Sequence, residues 1–197
     1  MTSLSRRAIL ALPLLLAACG DDEAPDAPNA FPPLRYDYLP PIQLNVASID
    51  VQQRFIPAGV PPDVSSSDPV QPVEALKAMA HDRLQALGTT NKAVFAITDA
   101  TLSRVNDSIR GSMSVSLTIY NPDNAQAGYA TASVERTHAG LDGSLAQTLY
   151  AMTKTMMDDM NVEFEYQIRQ NLKDWVTTAT APDVPVEDTP LDRPGRQ

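Results

Sequence analysis

The distribution of proline decides where this 197-residue chain can form regular secondary structure. The chain has 17 prolines, and only Pro122 lies between residues 73 and 181. Because proline lacks a backbone N–H and fixes φ, it disrupts helix interiors and central strands. The sequence therefore predicts one folded domain over residues 42–176, which is an ordinary size for a single domain. Residues 177–197 are rich in Thr, Pro and Asp, and we expect a disordered tail there.

The first 18 residues have the pattern of a secretory leader. Arg6 and Arg7 precede an apolar run over residues 8–18, which ends in small residues. A membrane-spanning helix needs about 20 apolar residues, and this run is shorter and interrupted by Pro13. Residues 1–18 are therefore predicted to be a signal peptide and not a transmembrane segment.

The only cysteine follows this leader directly. The sequence Leu16, Ala17, Ala18, Cys19 resembles the lipobox of bacterial lipoproteins. The resemblance implies cleavage before Cys19 by a type II signal peptidase, a diacylglycerol on its thiol and an acyl chain such as palmitate on its amino group. Residues 19–41 would then be the acylated cysteine and a proline-rich tether. We expect no cofactor other than these covalently attached lipids.

The charge balance indicates how such a chain would meet a membrane. It has 15 basic and 24 acidic side chains, a formal net charge of −9, and removing Arg6 and Arg7 with the leader makes this more negative. Nucleic acid as a partner is disfavoured, because phosphates require a basic patch. An anionic lipid surface would offer little attraction, so attachment depends on the acyl chains.

Alternating apolar residues predict four strands. Residues 42–51 alternate with one change of phase, which we interpret as a bulge near Ala47 and Ser48. The segments 94–105, 112–120 and 128–138 follow as an antiparallel meander, with a turn over residues 106–111.

Two stretches have helical spacing. The first runs from about Pro72 to Leu87, with Gly88 as its end signal. The second covers residues 144–176 and starts with a capping-box pattern of Ser144 and Gln147. The order β-α-β-β-β-α predicts an α+β two-layer fold, in which both helices cover one face of a four-stranded mixed sheet.

Catalytic arrangements are weak. Asp158 and Asp159 are neighbours on a predicted helix and point about 100° apart, so they do not share a site. His81 and His138 lie on different elements, without a His or Cys at ligand spacing. The sequence has no Gly-x-Ser-x-Gly motif and no Gly-rich phosphate loop. We therefore expect neither an enzyme nor a metal site.

Two features are candidates for partner binding. Met157 lies off the apolar stripe of the long helix, and methionine adapts to irregular partners. The polar side of the meander is lined by hydroxyls, which are either solvated or a protein-docking face. The hydroxyl residues are Ser112, Ser114, Ser116, Thr118, Thr131 and Ser133.

The element order behind a lipobox resembles two groups of envelope proteins. These are the LPS-assembly lipoprotein and the auxiliary lipoproteins of ABC-type lipid transport systems; the segment 39–46 is similar to the start of such domains. The chain also resembles uncharacterised alphaproteobacterial lipoproteins. The resemblance implies a non-catalytic scaffold with an envelope protein partner, on the periplasmic face of the outer membrane or, alternatively, of the inner membrane. A second interpretation is a module that binds a small apolar ligand between the long helix and the sheet.

Overall fold

Four strands form the main sheet in the computed structural model, which describes residues 31–177. They are β2 (Ser48–Gln53), β4 (Lys92–Val105), β5 (Ser108–Tyr120) and β6 (Gln126–Ala139), hydrogen-bonded in the order β2-β4-β5-β6. β2 runs parallel to β4, and the other neighbours are antiparallel. The expected four-stranded mixed sheet is confirmed.

Two helices cover one face of this sheet. The buried residues of α1 (Pro72–Arg83) and α2 (Leu145–Asn171) share one core cluster with the inward-facing strand residues. At its centre the rings of Phe95 and Phe164 meet edge to face, with centroids 5.4 Å apart. The predicted capping box forms at Ser144 and Gln147. The α+β class is therefore confirmed, although α2 ends earlier than predicted and is followed by a 3₁₀ turn.

The first predicted strand divides between two sheets. β1 (Ile42–Leu44) pairs in parallel with β3 (Leu84–Ala86), whereas β2 pairs with β4. The change of phase near Ala47 therefore marks a change of sheet and not a bulge. The α1 helix accordingly ends at Arg83, because the following residues are taken up by β3.

Two glycines allow close approach of neighbouring segments. A Cβ atom on Gly88 would lie 2.6 Å from backbone atoms of Asn45 and Val46, so this glycine serves the contact between segments, not the end of a helix. Gly111 belongs to β5 and faces Met152 and Met156 of α2. The predicted turn over 106–111 shrinks to Asn106 and Asp107, and Asn106 adopts a left-handed φ of 56°.

Candidate functional site

The hydroxyl face, defined as the six Ser and Thr residues above, lies on the side of the sheet away from the helices. Its members come together through strand register: Ser116 pairs with Thr131, and Ser114 pairs with Ser133. The hydroxyls of Ser114 and Ser133 are 2.8 Å apart. Ser116 and Thr118 are buried, Ser112 and Ser114 are partly accessible, and Thr131 and Ser133 are exposed. The accessible hydroxyls therefore lie toward β6.

The β6 strand is an edge of the sheet among the described residues, because it pairs only with β5. Its first nine residues, Gln126–Val134, have neither a charge nor a proline. Proteins usually protect a long edge strand with charges, prolines or bulges, since its free N–H and C=O groups can pair with another chain. We call this segment the β6 edge. Its position at the edge of the sheet could not be predicted from the sequence, because alternation does not reveal the order of the strands.

Met157 is not available to a partner. It is completely buried in the core cluster, so the prediction that it contributes to a binding surface is wrong. The physical reason is that α2 is buried on more than its sheet-facing side. The side that carries Met157 also buries Asn161, whose side chain contacts α1.

Residues 31–40, called the strap, were predicted to be part of the tether but pack on the helices. Phe31 meets Tyr150 edge to face at 5.3 Å, and the Tyr150 hydroxyl donates to the carbonyl of Pro32 over 3.0 Å. Arg35 forms a two-bond ion pair with Asp82. Tyr36 is buried, and its backbone N–H also donates to Asp82 over 2.8 Å.

A buried arginine fixes the far end of the strap. The Arg83 guanidinium donates to the Pro40 carbonyl over 3.0 Å, to Asn161 over 2.9 Å and to Glu165 over 2.6 Å. Burial alone would raise the pKa of Glu165, but hydrogen bonds from Arg169 and Arg83, together with their charges, hold this pKa below its usual range. The cluster joins α1, α2 and the strap.

A cavity of about 270 Å³ lies beside this cluster, at the C-terminal end of α2. Apolar walls come from Pro41, Ile42, Ile168 and Val176, and the Glu165–Arg169 pair lies on its rim. The space between α2 and the sheet is filled by core side chains. This cavity therefore lies at the helix end, and not between the long helix and the sheet, where the sequence interpretation placed a ligand.

The remaining candidate groups have separate partners. Asp158 pairs with Lys154, whereas Asp159 pairs with Arg136 of β6. His81 is exposed on α1, and His138 on β6 lies 3.1 Å from Asp142. Within residues 31–177, no group of three or more His, Cys, Asp or Glu side chains is arranged to hold a metal ion.

The lipobox and the start of the tether lie outside the described residues, so the lipidation of Cys19 stays a prediction from the sequence. Of the predicted tail 177–197, only Thr177 is described, and its N–H donates to the Gln43 carbonyl over 2.9 Å. Neither described helix has the length and apolarity that a bilayer-spanning segment requires.

Comparison with known proteins gives weak structural neighbours only. No family model and no curated protein matches the chain. The solved structures include a "putative lipoprotein" of Caulobacter crescentus CB15, at 13% identity, covering 61% of this chain and 85% of that chain with a TM-score of 0.35. A Xanthomonas campestris protein of the DUF330 family has 9% identity, coverage of 68% and 88%, and a TM-score of 0.36.

A third neighbour is the minor lipoprotein of Acinetobacter baumannii, at 12% identity, with coverage of 64% and 95% and a TM-score of 0.34. Similarities this low do not assign the chain to a family. Two of the three neighbours carry the name lipoprotein.

Proposed function

We propose that this protein is a lipid-anchored, non-catalytic lipoprotein of the bacterial cell envelope that binds a protein partner through the β6 edge and the adjoining hydroxyl face. The anchor is the acylated Cys19, and the partner is a component of envelope lipid transport or outer-membrane assembly. The β6 edge is the observation that carries the binding proposal, because Gln126–Val134 has no charge and no proline and its one irregularity is the register shift before Gly128, which leaves residues 128–134 free to pair with another strand.

The chemistry of this surface suits an extended protein segment. A partner strand added to β6 would gain main-chain hydrogen bonds along an uncharged edge. Thr131 and Ser133 point to the hydroxyl face and would contact alternate side chains of that partner, with Tyr129 as an exposed aromatic beside them. Docking there displaces water from hydroxyls and not from charges, which keeps the desolvation cost small.

The direct test is in-cell crosslinking and recovery of the lipidated protein. Thr131→Lys together with Ser133→Lys places two charges beside the β6 edge and should abolish recovery of an envelope protein. The matched control is Thr155→Lys with Gln170→Lys, which adds the same charge to exposed positions of α2. Equal recovery with both double variants would refute the β6 edge as the docking site.

The lipid anchor has its own test. Mass spectrometry of the purified protein should find diacylglycerol and an N-acyl chain on Cys19, and membrane fractionation should place the protein in the outer membrane. An inner-membrane location would contradict the proposed outer-membrane location but would leave the lipid-anchor proposal unchanged. Unmodified Cys19 would contradict the anchoring proposal.

A second candidate function is the binding of a small amphipathic ligand. The cavity at the C-terminal end of α2 has an apolar wall and a charged rim, which is the usual character of a small-molecule site. Native mass spectrometry of protein purified without detergent should then show a co-purified lipid, and Ile168→Trp should remove it by filling the cavity. A protein that carries no lipid would argue against this function.

A further inference from the structure

One end of the main sheet exposes several large apolar side chains. Val60, Val105 and Leu141 have exposed fractions of 61%, 50% and 37%. We call this group the apolar tip. Single exposed apolar residues are ordinary on a protein surface, but several at one end mark an interaction site.

Backbone pairing brings these residues together. The loop after β2 returns alongside β4, where Asp63 bridges to Ser103 and the Arg104 N–H donates to the Pro62 carbonyl over 2.8 Å. These bonds hold Pro62, two residues after Val60, beside Arg104, the chain neighbour of Val105. On the other side of the turn, the Gly140 N–H donates to the Asp107 carbonyl over 2.7 Å, which holds the neighbouring Leu141 there.

The loop is held in this shape by its own hydrogen bonds. Asp63 accepts from the N–H groups of Gly59 and Ser65, over 2.8 and 2.9 Å. The Ser65 hydroxyl accepts from the Leu102 N–H over 2.8 Å, which ties the loop to β4. Val60 is therefore presented by an ordered loop, and exposing it does not require unfolding of the domain.

Two arginines beside the apolar tip are placed to reach phosphate headgroups. Arg104 and Arg110 are exposed on either side of the β4–β5 turn, and Asp107 lies between them. Asp142 follows Leu141 and lies near His138. Arginine beside exposed aliphatic side chains is a common arrangement at a bilayer interface, where the cation reaches phosphate while the apolar groups enter the acyl region.

The strap begins, at Phe31, near the end of the domain that carries the apolar tip. Phe31 packs on Tyr150, which lies in the second turn of α2, and α2 begins just after Leu141. Residues 136–138 of β6 line one pocket with residues 148–155 of α2, so this part of the helix lies beside the apolar-tip end of the sheet. Only residues 20–30 separate Cys19 from Phe31, and even fully extended they span no more than about 40 Å.

We propose that the apolar tip is a second membrane contact, in which Val60, Val105 and Leu141 enter the interfacial region of the bilayer that holds the Cys19 acyl chains. This inference rests on the proposed lipid anchor. It gives the domain a fixed orientation, with the apolar tip toward the lipid.

The test uses the full-length lipidated protein in vesicles of phosphatidylethanolamine and phosphatidylglycerol. Acylation blocks the thiol of Cys19, so a cysteine introduced by Val60→Cys can be labelled alone with an environment-sensitive fluorophore. The matched control is Val162→Cys, an exposed valine in the middle of α2. Nitroxide lipids labelled near the headgroup should quench the fluorophore at position 60 several-fold more than at position 162. Equal quenching at both positions would overturn the inference.

Failure of the anchor is distinguished by flotation of the vesicles. A protein that floats but leaves position 60 in water refutes the membrane contact alone, whereas a protein with unmodified Cys19 that does not float refutes both proposals. A second measurement uses the mature chain, residues 19–197 without the leader, carrying Cys19→Ser, whose weak vesicle binding should fall about tenfold when Val60, Val105 and Leu141 are all replaced by serine. Unchanged binding of that variant would also overturn the inference.

Discussion

Arg83 joins three separate segments of the chain. Its side chain is 3% exposed and holds the strap, α1 and α2 together through three hydrogen-bond acceptors. In the sequence it reads as a surface cation near the end of a helix. Its burial could not be predicted, because the acceptors come from Pro40, Asn161 and Glu165, which are distant along the chain.

Arg83→Met should lower the free energy of unfolding by about 3 kcal/mol, since removing one partner leaves buried polar groups without compensation. Arg169→Met is the matched control, because Arg169 binds the same carboxylate from an exposed position and should cost less than about 1 kcal/mol. Urea unfolding of both variants measures the difference. Equal losses would mean that burial of Arg83 contributes nothing.

Among residues 31–177, the buried hydroxyl of Tyr36 has no hydrogen-bond partner. Burial raises the pKa of Tyr36, and the nearby charge of Asp158 adds to this shift. Tyr36→Phe removes an unpaired polar group and should stabilise the protein by about 1 kcal/mol. Tyr38→Phe, at an exposed tyrosine two residues away, should change stability by less than about 0.5 kcal/mol. Thermal unfolding should show a higher Tm for the first variant only.

Asp68 gives the stability a specific pH dependence. Burial raises the pKa of this carboxyl despite hydrogen bonds from Thr153 and the Val70 N–H. The native state therefore binds the Asp68 proton more tightly than the unfolded state does, and this contribution to stability is lost as the pH rises above about 4. Asp68→Asn should consequently gain stability relative to the natural chain between pH 4 and pH 7. A difference in unfolding free energy that does not vary with pH would contradict this prediction.

Among the elements, those with strong periodicity could be predicted and those that depend on distant pairing could not. The β4, β5 and β6 strands and the capped start of α2 follow from local pattern. The division of residues 42–53 between two sheets, as β1 and β2, could not be predicted from local pattern. Alternation shows which face of a strand is buried, but it does not show which strand lies beside it. The strap was also missed, since a proline-rich composition predicts an extended segment but does not show whether it packs.

Gly111 tests how closely α2 packs on β5. A Cβ atom here would collide with Met156 and with the end of Met152, so Gly111→Ala should cost about 1–3 kcal/mol. Ser112→Ala changes the adjacent, partly exposed residue on the other face and should cost less than about 0.5 kcal/mol. Denaturant unfolding compares the two variants. If Gly111→Ala unfolds like the control, the two methionines can move aside freely.

At the scale of the whole molecule, the strap belongs to the folded unit. All described residues lie in one compact unit that begins at Phe31. A fragment of residues 31–177 should therefore unfold cooperatively. A fragment of residues 42–177 loses Tyr36 from the core, the partners of Asp82 and one of the three partners of Arg83, and should be less stable by at least about 3 kcal/mol. Equal unfolding free energies of the two fragments would mean that residues 31–41 belong to the tether and do not stabilise the domain.

The strap also limits the distance that can open between the folded domain and the proposed anchor at Cys19. Its contacts lie one after another along the helices, from Phe31 at Tyr150, through Arg35 at Asp82, to Pro40 at Arg83. A pull on the chain from its N-terminal side would act on these contacts in turn. Release of residues 31–35 would free roughly 16 Å of chain, while Tyr36 stays in the core and Pro40 stays bound to Arg83. The first residues of the strap can therefore detach from the helices without unfolding the domain, and the hydrogen bond from Arg83 to Pro40 limits how much of the strap can detach.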